Sequence, residues 1–163
     1  MFINNFDPVA FYIFSFEIRW YSLAYIAGIL IGWILSKKIF ITEANIKDKF
    51  DDFITYIIIG IIIGGRLGYI LFYNLDYYSE NLIEIFKIWQ GGMSFHGGLI
   101  GIIFVSILYS KKFNQSAYDY LDIISLVAPI GIFFGRISNF INQELIGRET
   151  DFIISIRYPG EEI

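Results

Sequence analysis

A single histidine sits in a run rich in glycine, Gly91-Gly-Met-Ser-Phe-His-Gly-Gly98. The glycines around His96 imply a close backbone approach or a break in a helix. An imidazole held there could take a proton or donate a hydrogen bond to a phosphate. The same glycines would also suit plain helix packing, with His96 only capping a contact. A second polar stretch, residues 135–148, reads Gly-Arg-Ile-Ser-Asn-Phe-Ile-Asn-Gln-Glu-Leu-Ile-Gly-Arg. The Arg136 guanidinium is suited to grip a phosphate through two parallel hydrogen bonds. Asn139 follows three residues later and shares a helical face with it. Glu144 could orient an arginine or accept a proton. The alternative is an internal ion pair of Arg136 or Arg148 with Glu144, or an arginine that snorkels at the end of a span. Arg66, in Gly64-Gly-Arg-Leu-Gly-Tyr69, lies inside an apolar run. It must face the bundle or water, pairing with Glu17 or Asp122 or meeting an anionic lipid or substrate. Tyr25 offers a phenol, although tyrosines near membrane interfaces are common. Asp122 reads as a solvated or capping residue.

These groups stand in an apolar chain. Hydrophobic residues make up 56% and charged residues 17% of it, with a mean hydropathy of +0.58. A soluble domain carries about a quarter charged residues, so the balance points to a membrane protein. The net charge is −4 and no basic run is present, which argues against a nucleic-acid partner. There is no cysteine, so disulfides, thiolate metal sites and a cysteine nucleophile are excluded within these residues. Asp7 and Glu17 precede the first long apolar run, and no basic segment leads it, unlike a cleavable signal peptide.

Apolar periodicity predicts an all-α, polytopic membrane helix bundle. Four spans are expected at about 19–37, 53–75, 90–110 and 119–140, each near the roughly 20 residues a bilayer requires. Pro129 is tolerable within the fourth if neighbours or water satisfy the freed carbonyl. Lys37, Lys38, Lys47 and Lys49 follow the first run, and Lys111 and Lys112 follow the third. The positive-inside rule puts both lysine loops in the cytoplasm and the N-terminus outside. His96 and Arg136 are then expected at the outer face, with Tyr25 about one and a half turns inside the first span. Residues 1–19 predict an aromatic helix or hairpin resting at the interface. Leu82, Ile85, Phe86 and Trp89 share a helical spacing that predicts an interfacial amphipathic helix over 77–89. Residues 43–52 predict a polar turn with short helical character. The chain reads as one membrane domain, 1–163, with no repeat.

Taken in order, four stretches resemble the bacterial prolipoprotein diacylglyceryl transferases. They are Arg19-Trp-Tyr-Ser-Leu-Ala-Tyr25, Gly64-Gly-Arg-Leu-Gly-Tyr-Ile-Leu-Phe-Tyr-Asn74, Gly91–Gly98 and residues 135–148, the last similar to the family signature. The Asp7-Pro8 start also fits, and the resemblance covers nearly all 163 residues. It implies transfer of the diacylglyceryl group of phosphatidylglycerol to the lipobox cysteine thiol of a prolipoprotein signal peptide, the first step of lipoprotein maturation. It implies the bacterial cytoplasmic (inner) membrane and no metal or organic cofactor. By this resemblance Arg136 matches the phosphatidylglycerol-binding arginine, and Asn139 and Glu144 match the family's important asparagine and glutamate. His96 matches its essential histidine and Tyr25 its important tyrosine. Arg66 stands as a further substrate-binding candidate. The nucleophile belongs to the substrate, which is compatible with a chain lacking cysteine.

The departure from the family lies at the other end. Members continue through further spans, with a His-Pro-Ser-Gln-Leu-Tyr-Glu-like motif and another arginine, whereas this chain stops at Ile163, just after Arg157-Tyr-Pro-Gly160. The expectation is therefore the N-terminal part of a longer domain, weak or inactive without its remaining wall. Ser138 also stands where glycine is usual. Two other classes remain: a small transporter or channel using Arg66, Pro129 and the glycine breaks as a midplane path, and a non-catalytic subunit that needs a partner fragment. Concentration of polar groups at one face opposes the transporter.

Overall fold

The computed structural model describes residues 2–159; the expected break at Ile163 lies outside them. The long apolar runs of the chain are mostly helical. Strands β1 (Phe2–Ile3), β2 (Val9–Ile13) and β3 (Phe16–Arg19) open the chain. Helices α1 (Trp20–Leu35), α2 (Ala44–Tyr73), α3 (Leu75–Glu80), α4 (Phe95–Lys112) and α5 (Ala117–Ile141) follow, and β4 (Ile156–Arg157) comes last. Of the interfacial elements left open by the sequence, the N-terminal one is a hairpin: β2 and β3 pair antiparallel.

Among the described residues three helices are long and apolar enough to cross a membrane: Trp20–Phe40, which includes a wide turn at Ser36–Phe40, then α2 and α5. The expected third span becomes α4. It starts at Phe95 rather than near residue 90, and its 18 residues stand at the short limit for a bilayer. Its start is late because Gly91 and Gly92 adopt φ values of +85° and +79°, which halt any helix running in from the preceding segment. Ser94 then caps α4, its hydroxyl accepting from the Gly97 N–H at 3.2 Å. The segment expected as a polar turn, 43–52, is instead mostly the first turns of α2.

The amphipathic helix expected over 77–89 is not continuous. It breaks at Asn81 (φ −126°, ψ 60°) into α3, a tight turn at Leu82–Phe86 and another at Ile88–Gln90. Leu82, Ile85, Phe86 and Trp89 keep a periodicity that a short tight helix can also carry. What decides the backbone here is an arginine on α2, described below.

Contacts divide the chain into two compact units, one of residues up to Ser36 with those from Leu126, the other Lys37–Ser125. The second boundary falls one turn before Pro129, whose missing N–H leaves the Ser125 carbonyl without its helical donor.

In the Lys37–Ser125 unit, α2 and α4 cross on small residues. A methyl at Gly68 would sit 2.7 Å from the Gly97 Cα, and methyls at Gly64 and Gly101 would strike the Gly97 and Gly60 carbonyl oxygens. Close backbone approach is how helices associate where lipid removes the hydrophobic drive. At the lysine-bearing end, Phe50, Phe53, Tyr109 and Tyr120 form a buried aromatic cluster. Phe53 and Tyr120 lie 4.5 Å apart, and the Tyr109 hydroxyl donates to the Lys49 carbonyl at 2.8 Å.

In the other unit, β1 pairs parallel with β4. Helices α1 and α5 run antiparallel: Ser138 reaches the Trp20 carbonyl, and methyls built at Gly28 and Gly32 would meet Gly131 and Val127. The outward faces, with Ile26, Leu30 and Ile34 on α1, stay exposed.

Candidate functional site

The end of α5 carries the 135–148 stretch, and its polar residues form a chain of hydrogen bonds. One Arg136 terminal nitrogen lies 3.5 Å from Asn139 Oδ1, the i, i+3 neighbour on its face. Asn139 Nδ2 donates to a Glu144 carboxylate oxygen at 2.7 Å, and Asn142 Nδ2 donates to the other at 3.3 Å. The Glu144 N–H returns to the Asn139 carbonyl at 2.8 Å. The stretch thus curls back on its own helix end, helped by Gln143 and Leu145, which adopt φ values of 58° and 55°. Among the described residues neither Arg136 nor Arg148 forms an ion pair, so the salt bridge to Glu144 that would make this loop a mere anchor is not made. Arg136 is solvent-exposed, with its fork free of carboxylates. Asn142 Oδ1 is buried with no donor among the described residues. Ser138, in place of the usual glycine, is buried, and its hydroxyl donates to the Phe134 and Trp20 carbonyls at 3.2 and 3.4 Å. That satisfies the one polar atom the substitution adds.

Tyr25 lies in the same unit. In the antiparallel register of α1 and α5, Arg136 stands level with Leu23, between Tyr21 and Tyr25. The two tyrosine rings lie 5.2 Å apart on one face of α1. Tyr25 is 57% exposed, and its hydroxyl is hydrogen-bonded with that of Tyr21.

Asn4 is a residue that sequence reasoning passed over. It is fully buried. Its Nδ2 donates to the Phe140 carbonyl at 2.6 Å, which caps the end of α5, and its own carbonyl accepts from Gln143 Nε2 at 3.2 Å. Its N–H donates to the Arg157 carbonyl at 2.9 Å. Asn4 therefore fixes the turn that presents Asn139 and Glu144. The hint in the sequence is a pair of asparagines set between Phe2 and Phe6, whose rings pack on Phe140.

His96 and Arg66 belong to the Lys37–Ser125 unit. His96 is the second residue of α4 and is exposed, with its ring edge-on to Phe95 at 5.7 Å. It stands among the first-turn N–H groups, where a helix has affinity for anions.

Arg66 is 4% exposed and has a different occupation from either expected one. Its partners are neither Glu17 nor Asp122 but main-chain carbonyls. Nε donates to Ile85 at 3.0 Å, one terminal nitrogen to Gly91 and Gly92 at 2.6 and 3.3 Å, and the other to Glu84 at 2.6 Å. The guanidinium also lies 5.1 Å from the centre of the Tyr78 ring. Four of five N–H groups are thereby committed, leaving no bidentate face for a phosphate. Arg66 folds the 84–92 segment down onto α2, while the Ser94 N–H joins the Gly65 carbonyl at 2.9 Å. This interaction breaks the expected helix over 77–89. Replacing Arg66 with alanine is expected to free the segment by about 3 kcal/mol, raising amide exchange over residues 84–92 roughly 100-fold. Exchange unchanged from the parent would remove Arg66 from this role; lysine should restore only part of the protection.

A family model described as "Prolipoprotein diacylglyceryl transferase" matches residues 8–161. A relative from Rickettsia canadensis, named phosphatidylglycerol–prolipoprotein diacylglyceryl transferase, is 47% identical over 169 aligned positions covering 100% of this chain. One of the same name from Rickettsia typhi is 49% identical, also over 100% of the chain. A third, from Nitrobacter hamburgensis, is 48% identical over 90% of the chain. The chain spans 64% of the length of the two Rickettsia proteins and 53% of the Nitrobacter one. With its apolar helices, this is an integral membrane protein. The chain belongs to the prolipoprotein diacylglyceryl transferase family.

Proposed function

We propose that this chain carries the phosphatidylglycerol head-group site of an enzyme that transfers a diacylglyceryl group to the lipobox cysteine of a prolipoprotein signal peptide. Arg136 grips the phosphate, and Asn139 with Glu144 aims its fork. Tyr25, at the same level, donates to the phosphate or glycerol. His96 takes the thiol proton. The sulfur then attacks the diacylglyceryl carbon that bears the phosphate oxygen. A C–S bond forms, the C–O bond breaks, and glycerol phosphate leaves with one more negative charge than the diester carried. The observation that carries this reading is the Arg136–Asn139–Glu144 chain with its guanidinium exposed and, among the described residues, in no ion pair. Preorganised donors at the position where charge develops supply the largest share of such catalysis.

The setting is the bacterial cytoplasmic membrane, with the N-terminus outside and the site near the outer face. Lysine placement supports that orientation. Arg66 positions the segment leading to His96. A transporter would need Arg66 to face a path through the midplane, and its guanidinium is taken up by carbonyls instead.

The test uses membranes carrying the full-length protein, phosphatidylglycerol vesicles and a lipobox peptide. The expected result is a peptide mass gain of one diacylglyceryl unit, absent when the cysteine is replaced by serine. No gain with the cysteine peptide would overturn the assignment.

A further inference from the structure

At the lysine-bearing end of the Lys37–Ser125 unit, α2 and α4 are joined by a row of rings. Tyr109 of α4 lies 5.5 Å from Tyr56 of α2 and 4.9 Å from Phe113, the residue that follows α4. The bond from the Tyr109 hydroxyl to the Lys49 carbonyl sets the start of α2 level with the end of α4. The two ends of the row are open: Tyr56 is exposed and Phe113 only half-buried.

Two cations rest on these rings. Lys49 Nζ lies 4.3 Å from the centre of the Phe113 ring. Lys112 Nζ lies 5.3 Å from the same centre and 5.5 Å from that of Tyr56. A ring face attracts an ammonium through its quadrupole, but it carries no net charge and neutralises neither lysine. Carboxylates stand close by in the sequence and are not used. Asp48 and Asp52 are one and three residues from Lys49, and Asp51 is bonded by Lys37 at 2.8 Å. Among the described residues neither Lys49 nor Lys112 forms an ion pair. Two like charges over one ring repel each other, and an anion held between them turns that repulsion into attraction.

The surroundings select the kind of anion. On α4, Leu108 and Phe104 precede Lys112 at successive four-residue steps, so they share its face, and both are exposed. On α2, Ile59 and Ile63 follow Tyr56 at helical spacing and are exposed too. α2 is of membrane length. The charged spot thus caps apolar helix faces, an arrangement that matches a phosphate with acyl chains attached. Basic pockets at the ends of membrane helices hold anionic head groups in this way.

We propose that Lys49 and Lys112 together bind the phosphate of an anionic lipid in the leaflet where α2 begins and α4 ends, with Tyr56 and Phe113 as the floor beneath its glycerol. The site uses none of the residues assigned to the reaction, so its failure would leave that reading intact.

The probes are phosphatidic acid and phosphatidylcholine, each carrying a photoactivatable group beside the glycerol. Phosphatidylglycerol is avoided because the reaction assigned above consumes it. Each probe is mixed into zwitterionic nanodiscs holding the full-length protein, and after irradiation the labelled peptides are mapped by mass spectrometry. Phosphatidic acid should label residues 104–116 well above phosphatidylcholine. Lys49→Gln and Lys112→Gln should each cut that labelling about 5-fold, and the double variant should cut it further. Lys38→Gln, which removes an exposed lysine outside the site, should leave it unchanged. Equal labelling by the two lipids would overturn the proposal. So would a loss in Lys38→Gln as large as in the other two, which would report diffuse surface charge. Loss of the label on adding inorganic phosphate at the concentration of the lipid would overturn it as well, since the ligand would then be free phosphate. If the double variant does not fold, the single variants decide.

Discussion

Replacement of Arg136 by alanine is expected to lower kcat/KM for diacylglyceryl transfer by about 10²–10³-fold, the usual effect of removing a preorganised donor from a developing anion. The reasoning starts from charge. A phosphodiester enters with one negative charge and a phosphomonoester leaves with more, so the guanidinium is needed more at the transition state than in the bound lipid. The loss should therefore fall mainly on kcat, with a smaller rise in KM. Lysine keeps the charge without the fork and should recover only part of the rate. Asn139 and Glu144 act through Arg136, so their alanine variants should cost less, and each should cost almost nothing further once Arg136 is gone. The measurement is the mass-gain assay run as a double-mutant cycle. An Arg136→Ala enzyme with parental kcat would remove the residue from the site.

Loss of His96 should be comparable in size, about 10²–10⁴-fold, and should differ in its response to pH. A cysteine thiol with a pKa of about 8.5 is only a few per cent ionised at neutrality. If His96 takes the thiol proton, His96→Ala can use only the thiolate already present. Its rate should then climb roughly 20-fold between pH 7 and pH 9, as that fraction grows. The parent enzyme should climb much less. His96→Gln, which keeps a hydrogen-bond donor but not a base, should behave like alanine. A glutamine variant at near-parental rate would make His96 a phosphate donor instead. Parallel pH profiles for parent and alanine variant would sink the base assignment.

Both predictions concern residues that stood out in the sequence for physical reasons. Arg136 and Asn139 lie three apart on an apolar helix, so their proximity is legible in the spacing alone. The helix break before His96 was legible too, because Gly91 and Gly92 offer the positive φ that other residues resist. The apolar runs revealed the helices, though α4 starts five residues late. The unreadable parts are those decided by single long-range contacts. Nothing in Tyr77–Trp89 shows that carbonyls at 84, 85, 91 and 92 converge on an arginine 18 to 26 positions earlier. Arg66 itself was visible as a costly buried charge, but its partners are backbone atoms, and any sequence supplies those. The level of Tyr25 with Arg136 depends on how Gly28 and Gly32 meet α5, a register that small residues permit without specifying.

Asn4 has a consequence for biosynthesis. It leaves the ribosome well before its partners, since the Phe140 carbonyl and Gln143 amide that it binds lie 136 and 139 positions later. At a synthesis rate of about 5–20 residues per second, the gap amounts to roughly 7–28 s. During that time its amide and the edge of β1 can be satisfied only by water, which keeps the leading strand at the membrane surface while the helices insert. The turn over residues 139–144 takes its final shape only when Asn4 and its late partners meet. That turn is in this sense dated: it matures after the helices that carry it.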